Sequence, residues 1–308
     1  MISIVMSVYN TEKYIYNAIE SILNQTFRDF EFIIINDGST DNSLEIIKSF
    51  NDPRIKIISR ENRGLAYSLN EGIRLAQCDL IARMDPDDIS LPSRLQKQIE
   101  YLEKNPDVGI VGTGAMIINE EGEEIAPVIL PLDHENLLNW LPPRKAKSSP
   151  FFHGSVVYRK EFILKAGGYA EGYHFEDIVL WGKLSKLTRF ANLPEILYQF
   201  RVNRDARTNM SPSFIEKREK LINKYIEGKK FDEGDINFMK KLENIPLRTR
   251  KYYYHYKLGN LYFDAGKCRK SIVEGMNAWL RNPILPYSYK IMLKNILSNF
   301  QKSFSISL

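Results

Sequence analysis

The residues of this chain best equipped for chemistry are Asp85-Pro86-Asp87-Asp88. They close an apolar run, Cys78-Asp79-Leu80-Ile81-Ala82-Arg83-Met84, which reads as a buried strand. Three carboxylates at such a strand end repel one another, and their desolvation is costly unless positive charge sits between them. A hard divalent cation, itself bound to phosphate oxygens, meets that need with oxygen ligands. The spacing therefore predicts a metal–phosphate site at the carboxyl edge of a sheet, where open α/β folds bind ligands.

Other polar groups close the neighbouring predicted strands. Ile2–Val8 ends in Ser7-Val8-Tyr9-Asn10, and Phe30–Ile35 runs into Asn36-Asp37-Gly38-Ser39. Ile55–Ile58 is followed by Arg60-Glu61-Asn62-Arg63-Gly64. The ends of consecutive parallel strands share one rim, so these groups converge. Tyr9 can stack on a nucleobase, and Asp37 can accept from a base N–H such as uracil offers. Arg63 brings charge to a phosphate and Gly64 a bare backbone. Asp85 and Asp87 suit ribose and metal. Each group also has an ordinary reading. Tyr9 can be a half-buried strand-end aromatic, Asp37-Gly38-Ser39 a turn and cap, and Asn62-Arg63 a plain loop. Their order on successive strands is what favours a ligand rim.

A second carboxylate pair, Glu176-Asp177, opens a helical pattern. The helix dipole there favours the ionised form that a general base requires, although simple N-terminal charge complementarity reads the same way. His153-Gly154-Ser155 leads an apolar strand, where a lone histidine reads as structural.

The elements that must position these groups alternate strand and helix. Residues 12–25 place Ile15, Ala18, Ile19, Ile22 and Leu23 on one helical face. Asp41 is an N-cap for a helix with Leu44, Ile47 and Phe50 inward. Leu65, Leu69, Ile73 and Ala76 mark a third helix. Ser90, before Leu91-Pro92, opens a fourth with Leu95, Ile99 and Leu102. Leu80–Met84 and Val108–Ile118 add two strands. The fold class is α/β, a mostly parallel central sheet flanked by helices. Beyond it come a strand near Ile125–Leu130, a mobile loop over 142–150 and a strand-like Phe152–Tyr158. A turn at Gly167-Gly168-Tyr169, a helix over Glu176–Leu187 and a last strand at Leu197–Val202 follow. From residue 213 the chain is helical, aromatic and basic. Leu258-Gly259, Tyr262, Ala278 and Asn282-Pro283 are spaced as in a single tetratricopeptide unit, which predicts a helical hairpin rather than a peptide-binding array.

Bulk properties exclude several classes. A chain of 308 residues with 44% hydrophobic and 26% charged residues is an ordinary globular chain. No apolar stretch approaches the ~20 residues of a membrane span, and the start has no signal-peptide pattern. Cys78 and Cys268 form no metal pattern and fit a reducing cytoplasm. Residues 213–308 hold 19 Lys and Arg against 9 Asp and Glu, whereas residues 1–212 hold 24 against 29. The tail is either a solvated basic face or one drawn to an anionic surface, such as membrane lipid at the inner face of the membrane or an acidic glycan. No nucleic-acid module appears.

Motif alternatives fail on spacing. An EF-hand needs glycine where Ser90 stands. No Gly-x-x-x-x-Gly-Lys loop exists, and Gly112-Thr113-Gly114 lacks the third glycine of a dinucleotide fingerprint, Ile117 taking its place. A sugar nucleotidyltransferase would carry a glycine- and arginine-rich loop after the first strand, and residues 9–14 hold neither residue type. The alternative of a non-catalytic nucleotide- or glycan-binding protein stays open, although Asp85, Asp87 and Asp177 argue against it.

In order and spacing the motifs resemble glycosyltransferase family 2, with its GT-A fold. The resemblance is carried by Ser7-Val8-Tyr9-Asn10, Ser21-Ile22-Leu23-Asn24-Gln25-Thr26, Phe30-Glu31, Asn36-Asp37-Gly38-Ser39-Thr40-Asp41 and Asn62-Arg63-Gly64. It continues through Leu69-Asn70-Glu71-Gly72-Ile73, Ala82 to Asp88 with Pro92 and Arg94, His153-Gly154-Ser155 and Glu176-Asp177. It implies a catalytic domain over 1–212, with a nucleotide-binding half (1–118) and an acceptor half (119–212), before a helical C-terminal region over 213–308. It further implies a nucleotide-diphosphate sugar donor, often UDP-linked, and a glycan or lipid-linked acceptor in surface polysaccharide assembly. Mn2+ or Mg2+ would sit at the Asp85-x-Asp87 motif, with Asp87 the direct contact, and Asp177 would be the base of an inverting displacement. Two departures stand out. Pro86 replaces the small residue common between the aspartates. Arg201-Val202-Asn203 stands where many relatives carry Arg-x-His, which leaves Arg204 and Arg207 as candidates for the diphosphate.

Overall fold

The computed structural model describes residues 1–141, 149–172, 175–204, 206, 209–283, 285 and 290–295. The first part of the chain alternates as its periodicity predicts. β1 (Ile2–Val8), α1 (Ile15–Leu23), β2 (Phe30–Asp37), α2 (Ser43–Lys48), β3 (Ile55–Arg60), α3 (Leu65–Leu75) and β4 (Leu80–Met84) follow one another. A two-residue strand, β5 (Ile89–Ser90), precedes α4 (Arg94–Lys104) and the long β6 (Val108–Ile118). Then come β7 (Glu124–Val128), α5 (His134–Leu138), a 3-10 turn (His153–Ser155), β8 (Val157–Arg159) and α6 (Lys160–Lys165). α7 (Glu176–Leu184), β9 (Arg189–Arg201), α8 (Pro212–Ile226), α9 (Glu233–Glu243), α10 (Leu247–Asp264) and α11 (Cys268–Arg281) complete the described elements.

The strands form one sheet in the order β3-β2-β1-β4-β8-β6-β9-β5, with β7 beside β6. β3, β2, β1 and β4 are parallel, in register Val5 opposite Ile33 and Arg83. The chain moves outward from β1 through β2 to β3, then returns to lay β4 on the other side of β1. The order therefore reverses between β1 and β4, and such a switch point opens a crevice at the strands' carboxyl ends. Alternation sends Ile4, Met6 and Val8 to one face with Ile15, Ala18, Ile19 and Ile22 of α1. Val5 faces the other way, toward Ala66, Leu69 and Ile73 of α3. Helices thus cover both faces, as the alternation of elements requires.

Several predicted details differ, among them the last strand, which runs over Arg189–Arg201 rather than Leu197–Val202. Val108–Ile118 does not extend the parallel set, because β8 lies between β4 and β6 and is antiparallel to both. Arg159 helps to fix it there, donating to the carbonyls of Leu102 at 2.8 Å and Val108 at 3.1 Å. Phe152–Tyr158 is strand only from Val157, since residues 153–155 coil into the 3-10 turn. Ser90 does not cap α4; Ser93 stands at that position, and the Ser90 hydroxyl accepts from Arg94 Nε at 2.7 Å. Asp41 does not hold the N-cap of α2 either; Asn42 stands there, and Asp41, one residue earlier, accepts from the Ser43 amide at 3.0 Å. The loop predicted over 142–150 lies outside the described residues except for its last two.

By its contacts the chain divides into two compact units. The first comprises Met1–Met116, Pro127–Phe200 and Glu219–Lys230. The second comprises Ile117–Ala126, Arg201–Arg218 and the described residues from Phe231 on. Within the second unit α10 and α11 form the helical hairpin that the sequence predicts. Small residues let them close: the Ser271 hydroxyl donates to the Gly259 carbonyl at 2.7 Å, and Ala278 packs with Tyr252 and Tyr253. The β6–β7 turn meets this hairpin, with Lys270 on Glu123 at 2.7 Å and Asn119 on the Tyr262 hydroxyl at 3.3 Å. Among the described residues, no helix is long and apolar enough to cross a membrane.

One buried side chain ties the sheet edge to the helices. Gln25, fully buried at the end of α1, donates to the Leu91 carbonyl at 2.9 Å and accepts from the Leu95 amide at 3.1 Å. Its removal leaves buried backbone groups unsatisfied, each costing about 1–3 kcal/mol. Gln25→Ala should lower the urea unfolding free energy by about 2–4 kcal/mol. An unchanged unfolding midpoint would show that these bonds contribute nothing net.

Candidate active site

The carboxylate tetrapeptide is a tight turn that leaves β4 at the switch point and enters β5, which pairs with β9 at the far edge of the sheet. Asp88 is buried at 2% exposure, while Asp85 and Asp87 are partly exposed. The positive charge that these carboxylates need is supplied from within. Arg83 is fully buried and its Nη2 donates to Asp85 Oδ1 at 2.5 Å. Burial alone would depress this guanidinium, but Asp85, Tyr169 and Tyr198 more than offset that and hold it above its ordinary pKa. Arg94 lies beneath, also fully buried, donating to the carbonyls of Arg83 at 3.2 Å and Gly154 at 3.3 Å. Burial first, and Arg83 second, lower it to about 10.

Gly154 shows how closely the turn is held. A Cβ there would lie 2.0 Å from the Tyr198 hydroxyl and 2.6 Å from Asp85 Oδ2. The 3-10 turn can pass beneath the aspartate only because residue 154 has no side chain.

Asp37 ends β2 with a carboxylate only 2% exposed. It accepts from the amides of Arg63 at 2.8 Å and Gly64 at 2.9 Å, and the Arg60 guanidinium caps it. Asp37 therefore staples the loop after β3 to the rim. Gly64, at φ 90°, takes the left-handed conformation at the start of α3 with its amide on Asp37. The Arg63 guanidinium lies over the Tyr67 ring at 3.8 Å. Asn10, at φ 52°, accepts from the Thr40 amide at 2.8 Å and so links the ends of β1 and β2. Ser7 is buried within β1, and Tyr9 is 47% exposed on the rim.

Asp177 lies in the first turn of the nine-residue α7, its Oδ1 accepting from the Ile178 amide at 2.8 Å. His153 lies close enough to both Asp177 and Asp85 to feel their charges. The imidazole meets the Tyr169 hydroxyl through Nε2 at 2.8 Å and packs edge-on against Trp181, with ring centres 5.8 Å apart. Burial, then Arg83, depress it to about 4, against the opposing pull of Asp177 and Asp85. Tyr169 is itself locked by Asn70 of α3, which donates to its carbonyl at 2.9 Å and accepts from its amide at 2.8 Å.

The structure thus brings Asp85, Asp177, Arg83, His153 and Tyr169 into one electrostatic neighbourhood, and gathers Asp37, Arg63 and Gly64 at the end of β2, on the other side of β1. Motif reading passes over Arg83, Tyr169 and Tyr198, and His153, which the sequence reads as structural, is bonded to Tyr169 among them. A signal existed for Arg83: it stands two residues before Asp85 along a strand, and such positions share a face. Tyr169 and Tyr198 carry no such local mark. Asn203 and Arg204 belong to the second unit, where Arg204 pairs with Glu120 at 3.0 Å. Arg207 lies outside the described residues.

A cation would depend on its ligand here. Among the described residues no three His, Cys, Asp or Glu side chains gather closely enough to hold one. Asp85 and Asp87 on one turn offer hard oxygen donors, and a cation held there would take its remaining ligands from phosphate oxygens and water. That donor set fits Mg2+ or Mn2+.

The family 2 glycosyl transferase model matches residues 3–161, and the chain belongs to that family. It is 38% identical over 224 residues to the O-antigen biosynthesis glycosyltransferase WbnJ of Escherichia coli, covering 70% of this chain and 85% of WbnJ. It is 33% identical over 211 residues to the amylovoran biosynthesis glycosyltransferase AmsE of Erwinia amylovora, covering 67% of this chain and 77% of AmsE. The fold resembles that of S. aureus TarS in complex with UDP-GlcNAc, with a TM-score of 0.59, 17% identity and coverage of 94% of this chain and 90% of that one. It also resembles the mannosyltransferase PcManGT of Pyrobaculum calidifontis in complex with GDP-Man and Mn2+, with a TM-score of 0.55, 18% identity and coverage of 96% and 80%. At such identities these structures speak for the fold alone, and the fold is GT-A. The protein is a glycosyltransferase.

The depressed histidine has a consequence for stability. Between pH 6.5, the ordinary histidine value, and about 4, the unfolded chain binds a proton at residue 153 that the folded chain refuses. His153 therefore costs nothing above pH 6.5 and subtracts stability as the pH falls toward 4. Urea titrations at pH 7 and pH 5 should show a smaller acid loss in His153→Gln than in the parent. Equal losses would place the acid sensitivity elsewhere.

Proposed function

We propose that this enzyme moves a sugar from a nucleotide-diphosphate donor, UDP-linked, to a hydroxyl of a glycan or lipid-linked acceptor, with inversion, during assembly of a surface polysaccharide. The observation that carries the reading is the Asp85–Asp88 turn at the β1/β4 switch point, with Asp177 acting on the same His153. The names of WbnJ and AmsE support the biosynthetic setting, and the ligands of TarS and PcManGT support the donor class.

Tyr9 offers a face for the base. Asp37 accepts three donors and has room for one more, such as the N3–H of uracil. Arg63 supplies charge on the phosphate side. Asp87 and Asp85 would hold Mn2+ or Mg2+, which would supply positive charge for the diphosphate. The Asp177 carboxylate takes the acceptor hydroxyl proton as that oxygen attacks the anomeric carbon from the face opposite the diphosphate. The bond from that carbon to the phosphate oxygen breaks, and its electron pair leaves with the diphosphate. One displacement inverts the centre, with no covalent intermediate. His153, held neutral by its burial, keeps a second positive charge away from the base.

Asp177→Asn should leave the donor dissociation constant unchanged by calorimetry and lower kcat by about 10²–10⁴-fold. Undiminished turnover would remove Asp177 as the base. A thermal-shift screen of uridine and guanosine diphosphate sugars, with and without Mn2+, tests the donor. Stabilisation by guanosine sugars alone would overturn the uridine reading.

A further inference from the structure

The helical hairpin carries a surface that glycosyl transfer does not explain. The inner side of α11 is built from Ser271, Gly275 and Ala278, which are buried. Its one carboxylate, Glu274, is also turned inward, onto His255 Nδ1 at 2.5 Å. The other side exposes Val273 (53%), Met276 (53%) and Leu280 (66%), at intervals of three and four residues, with Trp279 (38%) alongside. These positions share one helical face. Arg269 extends the stripe one turn earlier and Arg281 ends the helix. Leu247, 51% exposed at the start of α10, lies near the far end of α11, because Arg248 Nε donates to the Arg281 carbonyl at 2.7 Å.

We propose that this face of α11 lies in the surface of an anionic lipid bilayer. Apolar side chains of this kind bury at the headgroup boundary, and flanking arginines meet anionic lipid. Charge selects the occupant. From Asn244 to the end the sequence has 11 Lys and Arg against 2 acidic residues, Asp264 and Glu274. A second copy of the chain would set like charge against like, whereas an anionic surface complements it. The docking is independent of the donor and of the catalytic base.

The test is flotation of the full-length protein with vesicles of phosphatidylcholine, alone or mixed with phosphatidylglycerol. The parent should float with the anionic vesicles, do so less at high salt, and stay behind with the neutral ones. The double variant Met276→Glu, Leu280→Glu should lower the vesicle-bound to free ratio by roughly tenfold or more. Its thermal unfolding midpoint should not change, since both side chains are exposed. Equal flotation of parent and variant would overturn the proposal, as would equal binding to neutral vesicles. A parent dimer in sedimentation velocity that the variant dissociates would also overturn it, by giving the face to a second copy.

Discussion

The candidate site depends on the contact between the buried Arg83 and the partly exposed Asp85. A turn rich in carboxylates can leave the middle of a sheet only if the field beneath it is positive. The fully buried Arg83 supplies that field from the strand itself. A buried ion pair contributes little net stability by itself, because desolvation offsets attraction. Its value here is positional: it fixes one oxygen of Asp85 and leaves the other toward the 3-10 turn. Arg94, the Tyr198 hydroxyl and Gly154 complete the support, and each would be costly to bury without the others.

The rim beside this turn is built on a second carboxylate. Asp37 is nearly inaccessible, yet it organises the neighbouring loop through two amides and a guanidinium. Asn10 links β1 to β2 in a similar way, in a backbone conformation that most residues avoid. Side chains whose types suggest ligand contact thus also hold the framework together. Burial alone does not separate binding from support here, because a preorganised site requires both from the same groups.

Histidine 153 joins the two halves of the chemistry. It is reached from α3 through Asn70 and Tyr169, and it feels both the aspartate turn and the base candidate. Its neutrality follows from burial and from Arg83. Protonation would set a second positive charge beside Arg83 in the same neighbourhood. The rings of Trp181 and Tyr169 pack against the imidazole.

The sequence by itself determined the strand–helix alternation of the first 118 residues, the rim residues and the helical hairpin of the tail. Those features are written in local periodicity and in positions next to strand ends, which follow from backbone geometry within a few residues. It also marked Asp85, Asp87 and Asp177 by type and order. Only the tertiary structure decided that β8 lies between β4 and β6, that residues 153–155 coil rather than extend, and that Ser90 serves Arg94 instead of capping a helix. The same holds for the contact of His153 with Tyr169 and for the placing of Tyr198 above Gly154. The reason is physical. Periodicity tells which side of an element is buried, but not which distant group it is buried against. That choice is made by pairing buried charges and hydrogen-bonding groups across the chain, between partners as far apart as Asn70 and Tyr169.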